Sequence, residues 1–194
     1  MNEITNNEVM FVLNVFKSPE TEYNANSIAK QMKISSMGAL KIAKRLEKEN
    51  ILVSKEFGRA RFYKLNFDSE YAKEYIKFLL KREAEQAHHY VKMWLSEIKK
   101  IKSADAAILF GSVVRKHSEA KDIDIMLITD QKRFSKLKKE IKEIDAVNVK
   151  KLHAIYQNQE DFIKNIKKGD KILLNAIKGI IVFGEDLIIN LLQK

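Results

Sequence analysis

Apolar residues in the first half of the chain change their spacing once. Up to residue 49 they recur at three- and four-residue steps, which is typical of helices, and then they form short β-like runs. Pro19, the only proline, ends the first helical stretch, and Gly58 lies in the turn between the two runs. The predicted elements are helices at about 6–17, 27–32 and 36–49 and strands at 51–54 and 61–65.

Three helices followed by a β-hairpin resemble a winged helix-turn-helix domain, over about residues 6–66. The resemblance implies a third helix that enters the major groove of DNA and a hairpin whose cations hold phosphates. The open alternative is a protein-interaction module whose cations only solvate its surface. The residues expected to line the DNA face are Ser35, Ser36, Lys41, Lys44 and Arg45 on the helix and Lys55, Arg59 and Arg61 on the hairpin.

Residues 69–101 contain neither proline nor glycine, and their apolar side chains again follow a helical spacing. We expect either one long helix or two helices that meet near Glu85-Gln86. A helix of this length would connect two domains rigidly. Its apolar stripe would also offer a surface for a homodimer. Within it, His88 and His89 are expected to point to different sides of the helix, which argues against a metal site there.

The remaining 90 or so residues alternate strand-like and helix-like segments. The chain as a whole is therefore predicted to combine helices and strands. The predicted domains are a winged helix at 1–67, a connecting helix at 68–103 and a second domain at 104–194. The predicted C-terminal elements are strands at 106–110, 123–128, within 147–156 and at 180–183, and helices at 112–116, 132–144, 162–178 and after 186.

The composition argues against a disulfide-bonded, thiolate-metal or membrane protein. The chain has 194 residues, 45% of them hydrophobic, and no cysteine, so disulfides and thiolate metal sites are excluded. It has neither a long apolar stretch nor a signal-peptide pattern at its start, so we expect no membrane segment and a cytoplasmic location. The net charge of +10 favours nucleic acid or nucleotide phosphates as partners, but the cations are spread along the whole chain.

Candidate chemistry is concentrated where the apolar run 108–110 ends in Gly111-Ser112. A glycine lets backbone amides approach a phosphate, and the serine hydroxyl adds a donor. Asp122 and Asp124 flank Ile123 at the start of the next strand, where alternation places both carboxylates on one face. Paired carboxylates suit Mg²⁺ bound to a triphosphate. The plainer alternative is a simple turn followed by solvated charges.

A hydrophobic strand, Gly-Ser, a helical turn and Asp-x-Asp on the next strand together resemble the polymerase-β-like nucleotidyltransferases. The closest resemblance is to the antitoxin-type minimal nucleotidyltransferases with an N-terminal winged helix, over about residues 70–194. It implies an α+β fold with a small mixed sheet in the C-terminal domain. It also implies ATP held by Gly111, Ser112 and Arg115, and Mg²⁺ held by Asp122 and Asp124. It also implies transfer of a nucleoside monophosphate to a protein hydroxyl, with a HEPN-type ribonuclease toxin as the partner. Lys121, where many members have serine, departs from the family pattern.

A second departure concerns the third carboxylate of active family members, which lies on a later strand. Aligning 152–155 with that strand places His153 where the acid belongs, and imidazole is a poor ligand for Mg²⁺. Asp145 would replace it only if the strand were offset. The sequence thus leaves two hypotheses open: an active nucleotidyltransferase, or a winged-helix transcriptional regulator with an impaired site. Transfer to RNA or to a small molecule such as an aminoglycoside is a third and weaker hypothesis, because the two predicted domains leave no residues for an additional substrate-binding domain.

Overall fold

A computed structural model describes residues 4–193 of the chain, which divides into two compact units, Met1–Leu79 and Leu80–Lys194. The division falls inside segment 68–103, which the sequence predicts to be a connection. No helix in the described part of the chain is long and apolar enough to span a membrane.

The N-terminal unit contains the predicted three helices and hairpin, with a short additional strand before the second helix. The strands form an antiparallel sheet in the order β1-β3-β2, and the hairpin turns at Gly58 with a φ of +60°. Its element order is that of a winged helix. The elements are α1 (Asn6–Phe16), β1 (Tyr23–Asn24), α2 (Ala25–Met32), α3 (Ser36–Lys48), β2 (Leu52–Phe57) and β3 (Ala60–Leu65), followed by the start of α4 (Glu70–Gln86).

Side-chain caps explain where these helices begin. Thr5 and Glu8 form a reciprocal capping box at α1, and Asn24 caps α2 through the Ser27 amide. Ser35, expected on the DNA face, accepts the Gly38 amide and so begins α3. The buried faces of the three helices then pack with the sheet around Phe11, Phe16, Ile28, Leu46 and Tyr63.

Segment 69–101 forms two helices, the second of the two predicted alternatives. They are α4 (Glu70–Gln86) and α5 (His89–Ile98). The helical backbone is interrupted at His88, which has an extended ψ of 146° and accepts the Tyr90 amide through its ring Nδ1. His88 is therefore a helix cap, a role that apolar periodicity cannot reveal.

The C-terminal unit is a four-stranded mixed sheet with helices packed on it, which confirms the predicted α+β class. The strand order is β6-β5-β4-β7, in which β5 and β6 are parallel and the other pairs antiparallel. The elements after α5 are β4 (Ala106–Phe110), α6 (Ser112–Lys116), a short 3₁₀ turn (His117–Glu119), β5 (Ile123–Ile128), α7 (Phe134–Val147), β6 (Leu152–Gln157), α8 (Gln159–Lys167), α9 (Lys171–Ile177), β7 (Ile180–Phe183) and α10 (Glu185–Gln193).

The helix predicted at 162–178 is interrupted, and forms α8 and α9. Gly169 between them has a φ of +72°, and Asp170 accepts the amides of Ile172 and Leu173 to begin α9. A left-handed glycine followed by a capping aspartate is a common way to end one helix and begin another. The single-helix prediction was therefore wrong, although both local signals are present in the sequence.

Candidate active site

Gly111 joins the wholly buried strand β4 to helix α6 at the edge of the sheet. Its φ of +79° lies in the left-handed region, and a Cβ built on it would lie 2.1 Å from Oδ2 of Asp124. Phe110, the preceding residue, is paired in register with Asp124. Both the backbone conformation and this close approach require glycine.

Asp122 and Asp124 flank Ile123 at the start of β5. Asp122 is exposed and Asp124 partly exposed, whereas Ile123 and Ile125 are buried. This alternation is the one expected of a strand with one face in the core, and it directs both carboxylates away from the core. The motif residues are thus brought together at one end of the β4–β5 pair.

His153 lies on the neighbouring parallel strand β6, in register with Asp124. Its ring Nδ1 is 3.4 Å from Asp124 Oδ1, and 79% of the side chain is exposed. The register places an imidazole beside Asp124, on the strand for which the family resemblance predicts a carboxylate. Asp145 is not a substitute, because its Oδ1 accepts the Leu152 amide at 2.8 Å and so holds the start of β6.

Ser112 and Arg115, expected to bind the triphosphate, both lie on α6. Ser112 begins the helix and is partly exposed, and Arg115 is exposed in its last turn. Gly111 occupies the cap position, and no side chain caps the helix there. The first backbone amides of α6 therefore lie beside Asp124 without a side-chain acceptor.

The loop between α6 and Asp122 is held by residues that sequence reasoning missed. The Lys150 ammonium donates hydrogen bonds to the carbonyl oxygens of Ser118 and, at 2.6 Å, of Ala120. The same nitrogen lies 5.2 Å from the centre of the Tyr90 ring. The sequence contains no signal for these contacts, because Lys150 is about thirty residues away from the carbonyls that it binds.

Histidines contact the same loop. The His117 ring stacks on His88 with centres 3.9 Å apart, and the His89 ring lies 4.0 Å from His88. The prediction that His88 and His89 point to different sides was wrong, because His88 precedes α5 instead of lying within it. Desolvation, followed by the nearby His117 and His89 rings, lowers the pKa of His88.

The donor set at the sheet edge fits a magnesium ion that shares its coordination with a bound triphosphate. Mg²⁺ is commonly held by one or two carboxylates plus phosphate oxygens and water, and Asp122 and Asp124 supply that number. Within residues 4–193, no group of three or more histidine and acidic side chains is arranged to hold a metal ion. The residues therefore fit a metal that arrives with a nucleotide better than a metal bound by the protein alone.

The expected DNA-facing cations fall into two groups. Arg45 is paired with Glu8 at 2.6 Å and with Glu49 at 3.3 Å, and Arg61 is paired with Glu56 at 2.6 Å and with Glu47 at 3.6 Å. The other expected residues are exposed, namely Ser36, Lys41, Lys44, Lys55 and Arg59. The Lys55 ammonium lies 4.7 Å from the centre of the Phe57 ring on the hairpin.

Comparisons with known proteins agree with the fold of the C-terminal unit. Residues 95–184 match the family model of "Polymerase beta, Nucleotidyltransferase". No curated protein matches the chain.

Two solved structures have a limited likeness to the chain. The adhesin competence repressor AdcR of Streptococcus pyogenes is 17% identical, over 52% of this chain and 69% of that chain, with a TM-score of 0.38. A variant of ZitR from Lactococcus lactis is 19% identical, over 50% of this chain and 60% of that chain, with a TM-score of 0.32. These scores carry no functional conclusion. The family match spans β4 to β7 and supports a nucleotidyltransferase-type domain in the C-terminal part of the chain.

Proposed function

We propose that the protein binds a nucleoside triphosphate, ATP in the simplest case, together with Mg²⁺ at the edge of the C-terminal sheet. The observation that carries the proposal is the close approach of Asp124 to Gly111, because it places a carboxylate directly against the Gly-Ser turn, where only a glycine can stand. The first amides of α6, the Ser112 hydroxyl and Arg115 would hold the phosphates. Asp122 and Asp124 would hold the metal.

The proposed reaction is transfer of a nucleoside monophosphate to an acceptor hydroxyl, with release of pyrophosphate. Bound Mg²⁺ would neutralise charge on the phosphate oxygens. Asp122 and Asp124 would hold that ion, and Arg115 adds positive charge beside α6. The antitoxin-type resemblance favours a protein hydroxyl as acceptor, on a HEPN-type toxin.

A second function follows from His153. An imidazole, which is a poor ligand for Mg²⁺, stands beside Asp124 where active relatives have a carboxylate, so metal-assisted activation of the acceptor hydroxyl would be weakened. The alternative is a regulator that binds nucleotide but transfers it poorly. In both cases we propose that the winged helix binds DNA through Lys41, Lys44, Lys55 and Arg59, with Ser36 at the start of the recognition helix. Homodimer formation stays a prediction.

Calorimetric titration of ATP into the full chain, with and without Mg²⁺, tests the shared part of the proposal. We expect saturable binding that requires Mg²⁺ and is lost in an Asp122→Asn/Asp124→Asn double variant. A Glu160→Gln variant is the matched control, since Glu160 is an exposed acid at the start of α8. No binding by the unmodified protein would overturn the nucleotide-binding proposal and leave DNA binding as the function to test.

Transfer is then measured with ATP labelled on its α-phosphate, in the presence of a co-expressed partner protein. Label on a hydroxyl of the partner supports the enzyme. Tight binding without label on any partner favours the regulator. Retention of a DNA duplex by the chain, weakened by salt and by Lys44→Met, would support the role of the winged helix in either case.

A further inference from the structure

The candidate site keeps the carboxylates on its phosphate side but has an imidazole on the adjacent strand. His153 and Asp124 are paired in register on parallel strands, and the His153 side chain is 79% exposed. Asp145, the nearest alternative acid along the chain, is engaged with the Leu152 amide. An exposed imidazole, and not a carboxylate, therefore stands beside Asp124 on this strand.

The two oxygens of Asp124 face different neighbours. Oδ2 is the atom that a Cβ on Gly111 would meet at 2.1 Å, so it faces the Gly-Ser turn. Oδ1 is the atom that lies 3.4 Å from the His153 ring. One carboxylate can thus serve the phosphate side through Oδ2 and orient the imidazole through Oδ1.

This orientation selects one form of the ring. A carboxylate only accepts hydrogen bonds, so a neutral imidazole beside it carries its proton on Nδ1 and a lone pair on Nε2. A hydroxyl acceptor must lose a proton to a base as it attacks, whereas this lone pair is already a nucleophile. The absence of a third carboxylate, which hampers transfer to a hydroxyl, does not hamper attack by His153.

We infer that His153 is a nucleophile that accepts the nucleoside monophosphate covalently, an inference that rests on the nucleotide binding proposed above. Nε2 forms a bond to the α-phosphorus of a nucleoside triphosphate. The bond from that phosphorus to the oxygen bridging the α- and β-phosphates breaks, and pyrophosphate leaves with the electron pair. The Nδ1 proton stays shared with Asp124, which offsets the positive charge on the ring.

The second half of the reaction releases the nucleotide. An acceptor hydroxyl or water forms a bond to the α-phosphorus, the nitrogen–phosphorus bond breaks, and Nε2 recovers its lone pair. The acceptor's proton goes to solvent. Because the ring is positively charged while it is bonded to phosphorus and leaves as neutral imidazole, this step needs less help from a base than direct attack on the triphosphate does.

The test uses the full chain with Mg²⁺ and ATP labelled on the α-phosphate, and the other three nucleoside triphosphates in parallel. We expect label on the chain itself, lost in acid and retained in alkali as for a phosphoramidate, and mapped to the peptide that contains His153. ATP labelled on the γ-phosphate should leave no label. His153→Ala and His153→Gln should lose the label completely, whereas His89→Ala, another exposed histidine, should keep it.

A second measurement needs neither metal nor nucleotide. Nitrogen-15 NMR of the His153 ring in the free protein should show the Nδ1–H form, and Asp124→Asn should change the proportions of the two ring forms. A ring protonated on Nε2 in the free protein would overturn the inference.

The outcomes separate this inference from the proposed function. Failure of every triphosphate to bind in calorimetry overturns both. Binding without label on the chain, or label that survives in His153→Ala, overturns the histidine nucleophile and leaves the binding site intact. Melting temperatures of the His153 variants should equal that of the unmodified protein, because the side chain is exposed.

Discussion

The two units of the chain hold their candidate functional residues in different ways. In the C-terminal unit, Asp124 is fixed by strand pairing on both sides and by the close approach of Gly111. In the N-terminal unit, the expected DNA-facing cations lie on exposed surfaces, and two of them, Arg45 and Arg61, are already paired with acids of the same unit.

This difference explains why the sequence predicts the C-terminal site well and the DNA-facing surface poorly. A site built by backbone geometry demands particular residue types at a particular spacing, so Gly111-Ser112 and Asp122-x-Asp124 are informative. A surface that attracts phosphates demands only positive charge, which many arrangements of lysine and arginine supply. A cation in such a pattern can instead form an ion pair that stabilises the fold, and only the structure distinguishes this role from DNA contact.

The largest effect is expected for Gly111→Ala. The new methyl group would meet Asp124, and the residue would have to keep a positive φ, so we expect a loss of about 3 kcal/mol or more in the free energy of unfolding. ATP binding should be abolished. Gly169→Ala is the matched control, because it has a φ of +72° with nothing within 4 Å of the added Cβ. Its cost should be only the backbone strain, about 1 kcal/mol.

Urea unfolding and calorimetry measure both variants. If Gly111→Ala and Gly169→Ala lost the same stability and both bound ATP normally, the contact between Gly111 and Asp124 would contribute nothing specific to stability or to ATP binding. The C-terminal site would then not depend on backbone geometry any more than the DNA-facing surface does.

The next effect concerns Arg45, which sequence reasoning assigned to DNA. Glu8 is 2% exposed, so Arg45→Met would leave a buried carboxylate without its cation, and we expect a loss of about 2 kcal/mol in the free energy of unfolding. Lys44→Met, one residue away and exposed, should change stability by less than about 0.5 kcal/mol but lower DNA affinity and reduce its salt dependence.

Unfolding and DNA-binding titrations at several salt concentrations distinguish the two residues. Adding Glu8→Gln to Arg45→Met should recover part of the lost stability, since the unpaired buried charge is then removed. If Arg45→Met were as stable as the unmodified protein but bound DNA much more weakly, Arg45 would contact DNA, as the sequence predicts.

Sequence patterns located most elements because apolar spacing and capping residues are local. The buried β4 run, the Asp-x-Asp strand and the winged-helix order were all predictable for that reason. The stacking of His88 on His117 and the contacts of Lys150 were not, because each depends on a partner far away in the chain. His153 is intermediate: its alignment was predictable, but its contact with Asp124 needed the strand register.

The buried Tyr75 predicts that the protein becomes less stable at alkaline pH. Burial, followed by the nearby charges of Glu8 and Glu49, raises the pKa of Tyr75 to about 12. The unfolded chain loses this proton near pH 10 while the folded chain keeps it, so stability falls between about pH 10 and pH 12. Unfolding titrations across this window should show a weaker decline in Tyr75→Phe. An identical decline in both proteins would place the titrating group elsewhere.

The smallest effect is expected for Lys150, which binds the backbone of the loop before Asp122 from outside the motif. Lys150→Met removes the donor to the Ser118 and Ala120 carbonyls, so the amides of 117–121 should exchange hydrogen faster and ATP affinity should fall about fivefold, or ~1 kcal/mol. Lys151→Met is the matched control, because Lys151 also binds two carbonyls, those of Asp145 and Asn148, at the end of α7. A purely structural role would make the two variants lose similar stability and leave ATP affinity unchanged in both. A positioning role predicts that only Lys150→Met weakens binding and that Lys150→Arg, which keeps the charge and the donors, restores much of it.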